Sequence, residues 1–225
     1  MINLSELDHE QKTIHYQTPL LTIQRQTYPI DFQAEHIADD LLYELDHYKG
    51  ALFSSNFEYT GRYTRWDVGF IKPPIEIRSQ GASFVIEALN GRGHVLLQVI
   101  FEHLKTVDCL EEVIKEEAVV KGSLPKPAKI KNEEERTKQT TIFDVLRQLQ
   151  FLFQANEDSF LGVYGAFGFD LIFQFEQIER HKPRSAQQND IHLFIPDELY
   201  IVDRKKGIAY QIKYEFTNKD GVSTI

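Results

Sequence analysis

Five large apolar side chains occupy every second position near the end of the chain: Ile208, Tyr210, Ile212, Tyr214 and Phe216, separated by Ala209, Gln211, Lys213 and Glu215. Side chains alternate between faces along a strand, so this period of two fits a sheet buried on one side and wet on the other. Such a strand needs a neighbour. Ile191–Val202 is a second apolar run, joined to the first by a polar turn at Asp203–Gly207, and the two read as a hairpin. One-sided burial is the habit of antiparallel sheet, so the chain has to cover one apolar sheet face with what precedes it.

What precedes it is interspersed strand and helix. Ile14–Arg25 reads as a short extended segment around Pro19. Pro29 and Asp31 are expected to open a helix whose apolar stripe is Ala34, Ile37, Ala38, Leu41, Leu42 and Leu45, with Asp31 as N-cap, Glu35 in the first turn and Gly50 as its end. Ala51–Tyr59 and Tyr63–Ile71 make a hairpin turning at Thr60-Gly61, and Pro73-Pro74 stops the second strand because proline cannot donate to a ladder. Ile75–Arg78 and Ser83–Leu89 are further strands, Asn90-Gly91 is a turn pair, and Val95–Leu104 is predicted helical. Lys115–Gln139 is poor in apolar residues and reads as a charged, solvated connector. Thr141 and Asp144 resemble a capping box ahead of a helix carrying Ile142, Val145, Leu146, Leu149 and Leu152.

In Phe160–Glu176, glycines 162, 165 and 168 stand among Tyr164, Phe167 and Phe169. The spacing is not the dinucleotide fingerprint; glycine inside an aromatic strand points instead to another backbone passing close by. Asp170 is expected to cap a short helix through Phe175, and the final TNKDGVSTI is expected to add no closing element. There is no internal repeat and no regular β-α-β rhythm. The fold class expected is α+β, a largely antiparallel sheet with flanking helices.

A length of 225 residues suits one large domain or two small ones, and 42% hydrophobic with 26% charged residues is the balance of a soluble globular protein. The N-terminus lacks the basic and apolar segments of a signal peptide, and no apolar run nears the roughly 18 residues of a membrane span. A cytoplasmic location without membrane partner is therefore expected. The formal net charge of −9 argues against nucleic acid as a partner. Cys109, the single cysteine, cannot form an internal disulfide or a cysteine metal cage.

Catalytic chemistry is hard to find. The eight histidines (9, 15, 36, 47, 94, 103, 181 and 192) show no metal spacing, and acid pairs such as Asp39-Asp40 or Glu116-Glu117 are sequence neighbours that point apart. There is no nucleophile elbow or P-loop. No catalytic or metal-ligating residue is assigned. Leu52–Asp67, LFSSNFEYTGRYTRWD, is different, with two serines, two arginines, four aromatics and the single tryptophan around Gly61. A turn near Thr60-Gly61 sets Ser55 roughly opposite Arg65 and Trp66, so hydroxyl, amides and guanidinium could hold an amino acid by its carboxylate and ammonium. A surface hairpin whose arginines stack on Tyr59, Tyr63 or Trp66 fits the same residues.

The wording KGALFSSNFEYTGRYTRWDVGF resembles the N-terminal region of anthranilate synthase component I, especially the bacterial type fused to its glutaminase. The resemblance continues through NEEERTKQTTIFDVLRQLQFLF, EDSFLGVYGAFGFDLIFQFE and LFIPDELYIVDRKKGIAYQIKYEF, and so covers nearly all of 30–220 in order. It implies an α+β, sheet-rich N-terminal-like region over 1–225 that packs with a catalytic chorismate-binding region. The family converts chorismate to anthranilate and pyruvate with Mg²⁺ and ammonia from glutamine, and L-tryptophan inhibits it from a separate site.

Carried onto this sequence, the resemblance places Ser55 as the polar anchor of that tryptophan site, with Ser54 before it, Leu52 as a wall and Arg65 as the basic neighbour. Phe169-Asp170 departs from the family's usual Tyr-Asp. The catalytic region, its Mg²⁺ carboxylates and the glutaminase are expected to be absent from these residues, leaving a regulatory and scaffolding portion. A stand-alone tryptophan-binding module, or part of a sister enzyme such as aminodeoxychorismate synthase, are the alternatives.

Overall fold

The structure is a computed structural model and describes residues 12–31, 34–55, 65–125, 139–176, 181–185 and 187–225, with the backbone alone for 34–36. In chain order its elements begin with β1 (Lys12–Gln17), β2 (Leu21–Ile30), α1 (Ala34–Leu45), β3 (Gly50–Ser54), β4 (Trp66–Ile71), β5 (Ile75–Gln80) and β6 (Ser83–Ala88). Then come α2 (Gly91–Leu104), β7 (Glu112–Lys115), β8 (Val119–Ser123), α3 (Ile142–Phe153), β9 (Tyr164–Phe167) and a 3-10 helix (Phe169–Gln174). The last strands are β10 (Ile191–Ile195), β11 (Glu198–Asp203) and β12 (Ile208–Asn218).

The strands form two six-stranded sheets, β1-β2-β12-β11-β4-β3 and β7-β8-β6-β5-β10-β9, antiparallel at every pairing. The fold is α+β with antiparallel sheet, as the alternation at the end of the chain predicts. β12 is central in the first sheet, paired to β2 from Ala209↔Ile30 to Asn218↔Leu21 and to β11 on its other side. Tyr210, Ile212, Tyr214 and Phe216 are buried beneath it. Helix α2 lies on the second sheet and also reaches β12, while α3 packs on α2 and sets Phe153 edge-on to Phe216 at 5.7 Å. Away from these helices the sheets meet directly, with Phe70 of β4 against Phe194 of β10 at 5.7 Å. One continuous apolar core results.

Several expectations change in ways the physics explains. Ile191–Val202 is not one hairpin arm: Pro196, which has no N–H to donate, and Asp197 divide it, so β10 joins the second sheet and β11 the first. The opposite face of β12 is not simply wet. Ala209 and Val202 are buried there with Ile30 and Ile37, so α1 covers that patch. Pro29 does not open a helix but lies within β2 opposite Tyr210. Leu41 is buried while Leu42 is 53% exposed, so the stripe of α1 is narrower than its sequence suggests. The Asp31 cap borders residues 32 and 33, and the Glu35 side chain and the Thr60-Gly61 turn also lie outside the described residues.

Asn90-Gly91 is a helix start instead of a turn: the Asn90 side chain accepts from Gly93 N–H at 3.1 Å and α2 begins at Gly91. The connector is shorter than expected, because Val119–Ser123 forms β8 with Val120 buried; residues 126–138 lie outside the described residues. The capping box is present, with Thr141 N–H donating to Asp144 Oδ2 at 2.7 Å. Asp170 falls inside the first turn of the 3-10 helix, which starts after Gly168. The C-terminal residues do close the structure: Thr217 bridges to Ser223, and Phe216 N–H donates to the buried Thr224 hydroxyl at 3.0 Å.

Candidate functional site

Strand β3 is the outer strand of the first sheet and pairs with β4 in the register Leu52↔Gly69 and Ser54↔Asp67. Paired residues share a face, so Leu52 and Ser54 lie on the α1 side with Gly69 and Asp67. Gly69 makes this packing possible: a Cβ there would stand 2.6 Å from Leu41 and 3.2 Å from Leu52. Leu52 is therefore a half-buried wall under α1. Ser54 is tied into the sheet, its hydroxyl donating to Asp67 Oδ1 at 2.6 Å. The buried Asp67 also accepts from Arg204 Nε at 2.8 Å.

Ser55 and Arg65 come together on the other side. The Ser55 hydroxyl donates to the Trp66 carbonyl at 3.1 Å and accepts from Arg65 N–H at 3.2 Å, and it remains exposed. The Arg65 guanidinium lies 4.7 Å from the Trp66 ring centre and donates from Nη2 to Asp203 Oδ2 at 3.0 Å. Asp203 is fully buried and also accepts Lys205 N–H and Lys206 N–H at 3.1 Å, which fixes the turn after β11. The two arginines are thus exchanged across the strands, Arg65 of the β4 side to Asp203 and Arg204 of the β11 side to Asp67.

The Ser55 hydroxyl meets Arg65 at its main-chain N–H, while the Arg65 side chain stacks on Trp66. Ser54 sits on the opposite face from Ser55. The Arg65 guanidinium already holds one carboxylate, so an incoming carboxylate would share it with Asp203. Nothing local in the sequence marks Asp67, Asp203 and Arg204 beyond an acidic residue near the start of one apolar strand, WD, and at the end of another, IVD. Residues 56–64, the tip of the hairpin, lie outside the described residues.

Behind Trp66 a line of rings runs inward. Trp66 meets Phe160 at 6.2 Å, Phe160 meets Tyr210 at 6.2 Å, and the Arg25 guanidinium lies 5.9 Å from the Phe160 ring. Arg25 pairs with the buried Asp158 at 3.1 Å, and the Tyr214 hydroxyl donates to Asp158 at 2.8 Å. Burial and the Asp158 charge push the Tyr214 hydroxyl well above its usual pKa, so it stays a hydrogen-bond donor.

A second polar group lies on the face of β5 opposite Ile75 and Ile77. Glu76 accepts from Lys49 at 2.7 Å and pairs with His192 Nε2 at 2.6 Å. Burial raises the Glu76 carboxyl, but the hydrogen bonds from Lys49 and His192 and the Lys49 and Arg78 charges outweigh it and hold its pKa below the usual value. An ionised carboxylate so held is no general acid. Among the described residues no three His, Cys, Asp or Glu side chains converge to hold a metal ion. No helix among them is long and apolar enough to cross a membrane.

No family model matches this sequence. Over 183 residues, 81% of its length, it is 39% identical to the anthranilate synthase of Azospirillum brasilense. The chain is homologous to part of an anthranilate synthase. It spans about a quarter of that relative, 25% of its length. The anthranilate synthase resemblance carried by the four blocks across 30–220 is thereby matched by a relative over 81% of the chain.

Proposed function

We propose that this chain is the regulatory and scaffolding portion of an anthranilate synthase, and so serves tryptophan biosynthesis in the cytoplasm. The observation that carries the reading is the 39% identity over 183 residues to one quarter of the Azospirillum brasilense enzyme. The complete enzyme would convert chorismate, with glutamine or ammonia, to anthranilate and pyruvate. Its chorismate-binding region, its Mg²⁺ and its glutaminase would reside in polypeptide outside the match.

Within this portion the β3–β4 end would form half of the L-tryptophan feedback site. Ser55 supports that role because its hydroxyl is exposed and oriented by two backbone contacts, at 3.1 and 3.2 Å. Arg65 would present cationic edge to the effector carboxylate while Asp203 fixes its direction. Leu52 and Ser54, on the α1 face, would back the strand that presents Ser55. The site would be completed by residues of the catalytic region, so the chain alone would bind tryptophan poorly and turn over no chorismate.

The test is reconstitution. The chain is co-expressed with the Azospirillum brasilense polypeptide lacking the matched quarter, and anthranilate fluorescence is followed with and without tryptophan. Activity inhibited by tryptophan in the pair, and resistant to it with Ser55→Phe, is expected. Anthranilate formation by the isolated chain would overturn the assignment.

A further inference from the structure

We propose that Arg204, in the turn after β11, is a positioning residue for Ser55, acting through Asp67 and Ser54, and thereby sets how tightly the β3–β4 end takes its effector. The inference rests on the tryptophan reading above. Ser55 lies one residue beyond β3, the outer strand of its sheet, which pairs with β4 alone. Little backbone holds a residue so placed: Ser55 N–H reaches the Trp66 carbonyl at 3.4 Å, a long hydrogen bond. Its direction has to come from its neighbours.

Those neighbours are held from the far end of the chain. Ser54 donates its hydroxyl to Asp67 Oδ1 at 2.6 Å. The other carboxylate oxygen, Oδ2, accepts from Arg204 Nε at 2.8 Å and lies 2.6 Å from Arg204 Nη2. Asp67 is 2% exposed, so its charge depends on the arginine for compensation. Arg204 is itself mostly buried, and its main-chain N–H donates to the Arg65 carbonyl at 2.8 Å. The turn that carries it is fixed by Asp203, whose Oδ1 accepts Lys205 N–H and Lys206 N–H, and by Gly207, which at φ +64 donates its N–H to the Asp203 carbonyl at 2.9 Å. One turn thus grips the chain at the Arg65 backbone and at the Asp67 carboxylate. The Ser55 hydroxyl bonds to Arg65 N–H and the Trp66 carbonyl, within the stretch those grips hold.

Arg204 acts through the strand, not on the ligand. Its guanidinium meets Asp67, which shares the α1 face with Ser54, while Ser55 points the other way. A hydroxyl serves a ligand when its own orientation is locked by supporting hydrogen bonds. Without Arg204, Asp67 would be a buried carboxylate with no compensating charge. It would turn toward water, Ser54 would follow it, and the end of β3 would lose the direction it gives Ser55.

In the reconstituted pair, the tryptophan concentration for half inhibition is measured against each variant's own uninhibited rate. Arg204→Ala should raise it at least about fivefold, the worth of one oriented hydrogen bond. Arg204→Lys, whose ammonium can occupy the Nε position, should stay within about twofold of the parent. Ser54→Ala should also raise it, and the double variant should be no more resistant than Arg204→Ala alone, because both cut one path. Arg92→Ala removes a different arginine, bonded to Asp197 at 3.2 Å, and should leave sensitivity unchanged. Circular dichroism checks that each variant keeps the fold. Parental sensitivity in Arg204→Ala, or losses that add in the double variant, would overturn the proposal. Should Arg204→Ala fail to fold, Ser54→Ala decides, and parental sensitivity there would overturn it equally. A parent pair that makes anthranilate but ignores tryptophan would instead remove the effector site, and this role with it.

Discussion

Asp158 is a buried carboxylate that gathers three interior groups. It holds Arg25 at 3.1 Å, the Tyr214 hydroxyl at 2.8 Å and Phe160 N–H at 3.0 Å, all in surroundings closed to water. Removing one member of a buried pair strands the other charge, so Asp158→Ala should cost about 3–5 kcal/mol in denaturant unfolding. Arg25→Met with Asp158→Leu should restore most of that loss, because apolar replacements leave no charge behind. Glu76 gives a separate prediction for pH. Its folded pKa is depressed, so its contribution to stability is complete above the unfolded value of about 4.3 and is lost as pH falls through the lower folded value. Glu76→Gln should flatten the stability profile across that acidic window. A profile identical to the parent's at low pH would contradict the pairing with Lys49 and His192.

Among the elements, the ones the sequence exposes best are those whose pattern survives in isolation. The alternation of β12, the capping box of α3 and its Ile142, Val145, Leu149 and Leu152 face are all local signals, and each appears where expected. What the sequence hides is long-range. Nothing within Ile191–Val202 says that β10 and β11 serve different sheets, and nothing local distinguishes Asn90 as a cap from Asn90 as a turn. Asn90→Ala should cost about 1 kcal/mol by unpairing Gly93 N–H. Gly165 behaves as its setting among aromatics suggests, with φ +153 and a Cβ position only 2.2 Å from the His192 carbonyl. Gly165→Ala should destabilise by roughly 1–3 kcal/mol, read as a lowered unfolding midpoint, because β9 must leave β10 to make room.

At the scale of the whole molecule, the sheets close one core, and Ser55 stays exposed at the β3–β4 end. The closeness of Ser55 to the Arg65 and Trp66 backbone is legible in the sequence, since cross-strand distance follows from a hairpin turn. Asp203 and Arg204 are not, because they come to Arg65 and Asp67 from the far end of the chain and could be placed only by knowing that β11 lies beside β4. The claim that matters most is that this end is half of a tryptophan site completed by another part of anthranilate synthase. Calorimetric titration of L-tryptophan tests it most directly, first into the isolated chain and then into the reconstituted pair. The account predicts little or no heat from the chain alone and saturable binding in the pair that Ser55→Phe removes. Saturable binding by the isolated chain would contradict it and make the protein a self-sufficient tryptophan sensor.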